Sequence, residues 1–305
     1  MTDLRLLLAL ASLFVGGGCL GPQADDDDSA PAGVTTGPVM TLGTWNLRNF
    51  SEWGLDEWRL DTVVPFVDAL DADLIAIQEI EPDANEPWSA PQAFDAVIDG
   101  TRFEGLHNPW RTWDTSVGLL YDPDVVTIVA TEELFADDSW AFPRPPLRAD
   151  VELTRGGARL EFTVFSLHLK ARGDGIDRRL LACEALDAYV REEGIERAVL
   201  LGDLNDDPYD PPAENAFAGT FLGAEPYWVF LTKDQPPESV TSTGWYHEVD
   251  GERIEGEFID HAIARGPLVD QYASITPEIL GVPESGFQEF RQDYSDHFPV
   301  LVRFE

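Results

Sequence analysis

Six short polar motifs run along this chain, and most of them follow or interrupt an apolar run. These are Thr44-Trp45-Asn46-Leu47, Gln78-Glu79, Ser166-Leu167-His168-Leu169-Lys170, Gly202-Asp203-Leu204-Asn205, Ile259-Asp260 and Ser295-Asp296-His297-Phe298-Pro299-Val300. A buried strand reads as such a run, and polar side chains at its end emerge where the core opens into a cleft. The chain must therefore fold into layered sheets whose strand ends converge. The motifs supply one Asn and one Glu early, a His midway, an Asp-x-Asn pair, then an Asp and an Asp-His pair. That inventory suits a divalent cation, a general base and an electrophilic clamp around a phosphodiester.

The 305 residues begin with an apolar segment, Leu4 to Val15, too short to span a membrane comfortably. It reads as a secretory signal over residues 1–18. The following Gly16-Gly17-Gly18-Cys19 resembles a bacterial lipoprotein cleavage box, with Cys19 as the lipidated residue. Gly16 stands where an aliphatic residue is usual, and Asp3 offsets Arg5, so a cleaved, soluble secreted protein is the alternative. With Cys19 lipidated, Cys183 has no intrachain partner and reads as a small buried hydrophobe. Residues 19–38 form an acidic linker around Asp25-Asp26-Asp27-Asp28. They lack the Gly and closing Glu of a calcium loop, so a tether is the simpler role. Residues 39–305 are read as one domain, exported to the bacterial envelope or secreted, with any membrane contact made through the lipid.

Along that domain, strands are expected at Val39–Leu47, Asp73–Gln78, Arg148–Leu153, Arg159–Leu169, Arg197–Leu201, Phe258–Ala264 and Val300–Phe304. Val117–Tyr121 and Val125–Thr131 read as a hairpin across Asp122-Pro123-Asp124. Leu60, Val63, Val64, Val67 and Leu70 recur at helical spacing, with Pro65 arguing for a kink or a later start. Asp177 is a candidate cap for a helix over Arg178–Glu193 that Gly194 ends. His261 directly follows Asp260 and should face the other side of the sheet, as packing.

In this order, the motifs identify residues 39–305 with the endonuclease/exonuclease/phosphatase superfamily, which includes pancreatic deoxyribonuclease-like enzymes. Arg144-Pro145-Pro146-Leu147 and His168-Leu169-Lys170-Ala171 look most like its secreted bacterial nuclease-like branch. The resemblance implies an α+β fold, a four-layer α/β sandwich with two mixed β-sheets flanked by helices. It implies that Glu79 ligates Mg²⁺ or Mn²⁺, one or two ions, with Asn46 beside it and Asp296 sharing the contact. Asp203 and Asn205 would orient or deprotonate the attacking water. His297 would be a base or a donor to phosphoryl oxygens, its tautomer held by Asp260, and His168 would bind or protonate the other side of the phosphate. Relatives pair that central histidine with a carboxylate, for which Asp114 is the candidate here. A structural Ca²⁺ is left open, and a monomer is expected.

The net charge of −37, from 57 acidic against 20 basic residues, repels a polyanion at long range. Any nucleic acid must then be met by local cations. Arg48, Lys170 and Arg172 are the candidates for substrate phosphate, with Arg178 and Arg179 in the same cluster. Three functions stay open: an exported nuclease acting on DNA or RNA, a phosphoesterase acting on lipid or small esters, and a silent surface protein on the same fold.

Overall fold

The computed structural model describes residues 37–50, 57–81, 92–109, 115–223, 227–233, 242–243, 247–249, 252–254, 256–281 and 286–305. The expected leader, Cys19, the acidic linker up to residue 36 and Asp114 lie outside these residues. Two six-stranded sheets dominate. The first runs β13 (Ile275–Ile279), β14 (Val300–Phe304), β1 (Met40–Phe50), β2 (Leu74–Ile80), β4 (Ser116–Tyr121), β3 (Glu104–His107). The second runs β5 (Val126–Glu133), β6 (Leu147–Arg155), β7 (Ala158–His168), β8 (Ala198–Asp203), β12 (Asp260–Arg265), β9 (Trp228–Phe230). Strands β10 (His247–Val249) and β11 (Glu252–Ile254) make a separate hairpin. In each sheet the central pair is parallel, β1 with β2 and β7 with β8. Every other pairing is antiparallel, so the two sheets repeat one pattern.

Helices cover both outer faces. Over the first sheet, Val63, Phe66 and Val67 of α1 (Glu57–Ala69), Phe94 and Val97 of α2 (Gln92–Gly100) and Phe290 of α5 (Phe287–Asp293) share a core with Trp45, Leu47, Ile75 and Ile77. Over the second, Ala182, Cys183, Leu186 and Val190 of α3 (Ile176–Glu192) pack on Phe165, Leu167 and Leu200. The short α4 (Gly266–Val269) sends Leu268 into the core between the sheets. The result is the four-layer α/β sandwich. Among the described residues, no helix is long and apolar enough to cross a membrane.

Three local expectations are corrected. Strands β4 and β5 are not a hairpin. Both edges of β4 are already taken, by β2 and β3, so the chain crosses at Asp122 to the second sheet, where β5 pairs with β6. The Asp122 carbonyl accepts Val126 N–H at 2.9 Å and its carboxylate accepts Asp124 N–H at 3.0 Å, which shapes the corner. Pro65 does not give α1 a later start: the helix begins at Glu57 and runs through the proline, because the buried face on either side outweighs one lost hydrogen bond. Asp177 sits in the first turn of α3 while Gly175 holds the cap position, so the carboxylate acts on the helix's positive end instead. Gly194, at φ +65°, does end α3, with Ile195 N–H reaching the Val190 carbonyl.

Alternation along the strands explains where the site lies. On the faces that meet between the sheets, Met40 and Leu42 of β1 give way to Thr44 and Asn46. Leu74 and Ala76 of β2 give way to Gln78, Val164 of β7 to Ser166 and His168, and Val199 and Leu201 of β8 to Asp203. Antiparallel β12 repeats this in reverse, with Asp260 preceding Ala262 and Ala264. One end of the inter-sheet layer is therefore polar, at the C-terminal ends of both parallel pairs, where open sheets place ligands. At β2's opposite end, buried Asp73 accepts Thr41 N–H at 2.9 Å and Arg155 Nη1 at 3.1 Å.

Gly202 lets β8 lie close to β7. A Cβ there would stand 2.8 Å from the Leu167 carbonyl carbon and closer still to its oxygen. Gly157, in the β6–β7 turn at φ +85°, has open space around it. We expect Gly202→Ala to cost about 3 kcal/mol by overpacking, and Gly157→Ala only about 1–2 kcal/mol for its backbone conformation. Urea unfolding of the two variants measures the difference.

Candidate active site

The polar ends meet on Asp203, which is almost fully buried. From the opposite sheet, Asn46 Nδ2 donates to Asp203 Oδ2 and to Glu79 Oε1, both at 3.0 Å. Asn46 Oδ1 accepts Arg48 N–H at 2.8 Å, so the side chain presents its donor to the centre. Glu79 Oε2 accepts Asn49 N–H at 2.7 Å. His168 Nε2 stands 3.5 Å from Asp203 Oδ2, and His297 Nε2 stands 4.0 Å from the same oxygen. His297 Nδ1 meets Asp260 Oδ2 at 2.8 Å. Asn205 donates its N–H to Asp203 Oδ1 at 3.0 Å and Nδ2 to the Leu169 carbonyl at 3.2 Å, tying the loop after β8 to the loop after β7.

Burial and neighbouring charge separate the titrations. Burial, and after it the charge of Asp260, raise Asp203 to about 7 against the opposing pull of His297 and Asn46. Burial disfavours the His297 cation, but the charge and hydrogen bond of Asp260, followed by Asp203 and Asp296, raise it to about 10. Burial, the Arg144 charge and His297 hold His168 well below the ordinary histidine value. At neutral pH the centre thus carries one imidazolium, one neutral imidazole and a carboxylate poised to take a proton.

Two overlapping groups have ligand atoms within 4.8 Å of one another: Glu79, His168 and Asp203, and Asp203, Asp260 and His297. Clustered carboxylates fit a hard divalent cation, which binds oxygen donors and offsets their repulsion. Backbone strain gathers here too. Of six non-glycine residues with positive φ among the described residues, Arg48, Asn49, Glu79, Asn205 and Arg172 flank the centre. At Glu79 this conformation coincides with a register shift in β2, so consecutive Gln78 and Glu79 both serve the site.

The structure brings Asn46, Glu79, His168, Asp203, Asn205, Asp260 and His297 together. Asp296 belongs to neither ligand group and lies against Arg48 Nε at 3.5 Å. Lys170 donates to the Ala171 carbonyl at 3.0 Å, and Arg172 is exposed. Arg179 departs from the expected cationic cluster, because helix phase turns it inward. It is buried against Asp206 at 2.8 Å and donates to the Lys170 and Arg172 carbonyls at 2.9 and 2.8 Å. His261 is packing, with Nε2 2.9 Å from the Asp206 carbonyl and its ring edge-on to Phe230 and Phe258.

Ser242 was not legible as a site residue. Its hydroxyl accepts the N–H groups of Ile259 and Asp260, both at 3.0 Å, and its carbonyl accepts Phe298 N–H at 2.8 Å, joining the two halves of the Asp260–His297 pair. Ser295 and Trp45 tie that pair to β1. Ser295 Oγ donates to the Asn46 carbonyl at 2.6 Å, and Trp45 Nε1 to the His297 carbonyl at 2.9 Å. The polar Thr44-Trp45-Asn46 and Ser295-Asp296-His297 strings were the available signal for these contacts. Ser242 carried none.

A model of the Endonuclease/Exonuclease/phosphatase family matches residues 43–297. No curated protein matches the chain. Among solved structures, TDP2 of D. rerio, complexed with a single strand DNA product, superimposes with a TM-score of 0.61 at 15% identity, over 88% of this chain and 99% of that one. An endonuclease/exonuclease/phosphatase from Bacteroides vulgatus gives 0.62 at 16%, over 88% and 98%. The human Nocturnin catalytic domain with bound sulfate gives 0.59 at 14%, over 89% and 96%. At these identities the likeness is one of fold.

If Asp260 is what holds His297 protonated, Asp260→Asn should drop its pKa from about 10 to the ordinary value near 6.5 or below, since burial then acts with less opposition. Ring ¹⁵N NMR titration without metal reads this directly. A value still near 10 in the variant would contradict the assignment.

Proposed function

Because the chain belongs to the endonuclease/exonuclease/phosphatase family and gathers two histidines and two further carboxylates around Asp203, we propose that it is a metal-dependent phosphodiesterase that cleaves nucleic acid, DNA first and RNA second. The carrying observation is the poised Asp203 carboxylate between a neutral His168 and a charged His297. The DNA product bound to the D. rerio structure supports nucleic acid as the substrate class. The apolar Leu4–Val15 segment ahead of Cys19 supports export.

In this reading Asp203 takes the proton of the attacking water, with Asn205 fixing the loop that presents it. His297 acts as the donor. Its Nδ1 is held by Asp260, which leaves Nε2–H to meet a phosphoryl oxygen as negative charge builds there. Neutral His168 binds the phosphate from the other side. Glu79, with Asn46 beside it, would hold Mg²⁺ or Mn²⁺, which supplies charge neutralisation at the phosphoryl oxygens. Arg48, Lys170 and Arg172 would receive flanking phosphates.

The test is nicking of supercoiled plasmid by the full-length protein with Mg²⁺ or Mn²⁺. We expect EDTA to abolish cleavage and His297→Ala to slow it by about 10²-fold or more. The wild-type rate should fall as acid protonates the Asp203 carboxylate, below about pH 7 because a bound cation favours the charged form. No cleavage of any nucleic acid, together with turnover of lipid or small phosphate esters, would replace this reading with the phosphoesterase one.

A further inference from the structure

In a chain with 57 acidic and 20 basic residues, most cations should find a carboxylate. Among the described residues, Lys170, Arg172 and Arg178, grouped after β7 and at the start of α3, are among those that do not. The Lys170 ammonium and the Arg178 guanidinium are held by main-chain carbonyls, of Ala171 and of Ser139 and Trp140, which leave their charge uncompensated. The Arg178 guanidinium carbon also lies 4.7 Å from the centre of the Trp140 ring. That ring is 62% exposed, more than any other aromatic side chain among the described residues.

The ring is held out rather than left loose. Asp138 Oδ1 accepts the N–H groups of Trp140 and Ala141 at 3.2 and 3.1 Å, and Phe142 N–H returns to the Asp138 carbonyl at 2.9 Å. Phe135 stacks on buried Phe142 beneath, with centroids 4.5 Å apart. The ledge also lies beside the catalytic loops. Arg179, the next residue after Arg178, grips the Lys170 and Arg172 carbonyls, and Leu169 N–H donates to the Asp203 carbonyl at 3.0 Å.

Resting on the nucleic-acid reading above, we propose that Trp140 and Arg178 form a nucleobase-stacking ledge beside the catalytic centre, reached by strands whose bases are unpaired. Lys170 and Arg172 take the backbone between the scissile phosphate and the ledge. The indole takes a base face, and the guanidinium beside it strengthens the stack. Every base has such a face, so the ledge is tolerant of sequence. Bases inside a duplex are already stacked and do not reach it.

The test is fluorescence anisotropy with the full-length protein in EDTA, at about 0.15 M ionic strength to limit long-range repulsion. The probes are a short fluorescein-labelled oligothymidine and an abasic sugar–phosphate strand of the same length. We expect wild type to bind the oligothymidine about tenfold more tightly than the abasic strand. Trp140→Ala should erase that preference and Trp140→Phe should keep most of it. Hydrolysis of bis(p-nitrophenyl) phosphate, too small to span site and ledge, should be unchanged in both variants. Unaltered oligothymidine binding by Trp140→Ala, with plasmid cleavage intact in wild type, overturns the ledge alone. A wild type that neither binds these strands nor cleaves plasmid overturns the ledge and the nucleic-acid reading together.

Discussion

A carboxylate buried between two sheets has to be matched from both of them, and the rest of the site follows from that requirement. Asp203 comes from the second sheet, and the amide that meets it, Asn46, comes from the first. Asn46 can do this only because its own Oδ1 is turned to Arg48 N–H and its main chain is pinned by Ser295. Ser295 in turn fixes the loop that carries His297, and His297 returns to the second sheet through Asp260. The circuit crosses the seam twice. A shift of either sheet along the other would leave a buried charge without its partner, which is among the costlier faults a core can carry.

Much of this was legible in the sequence because alternation along a strand and burial act together. Val199-Leu200-Leu201-Gly202-Asp203 specifies a strand buried on both faces, and the final Asp then has to stand at its end. What alternation does not specify is which neighbour a strand takes. Val117–Tyr121 and Val125–Thr131 read alike whether they pair or part, and the choice was made by β2 and β3 occupying both edges of β4. Nor does formal charge reveal which cations are spent inside. Arg178 and Arg179 are adjacent, yet the roughly 100° between successive residues of α3 sends the first to the surface and the second into a buried ion pair with Asp206. Ser242 escaped notice because a hydroxyl that satisfies two consecutive backbone N–H groups of a segment far along the chain leaves no local pattern.

The site is also where the fold gives up stability. Gln78 Nε2, Ser166 Oγ, His168 Nδ1 and Asp260 Oδ1 are buried polar atoms without hydrogen-bond partners among the described residues, all on the polar faces between the sheets. Each such atom carries a desolvation cost that no protein group offsets. Five left-handed residues add backbone strain around the same centre. The three apolar cores, one between the sheets and one under each helical layer, offset these costs. A rigid sandwich with one strained polar end positions reacting groups more tightly than loops alone would.

The central claim is that the carboxylates around Asp203 are kept together to hold a hard divalent cation. Isothermal titration of Mn²⁺ into the metal-free full-length protein, beside Glu79→Gln, tests it most directly. The amide keeps the shape of Glu79 and removes its charge. The account expects one saturable site in the wild type, set apart from weak binding by the acidic surface, and its loss or at least about tenfold weakening in Glu79→Gln. Equal titrations of the two proteins would show that the buried acids serve some purpose other than metal, and would contradict the account.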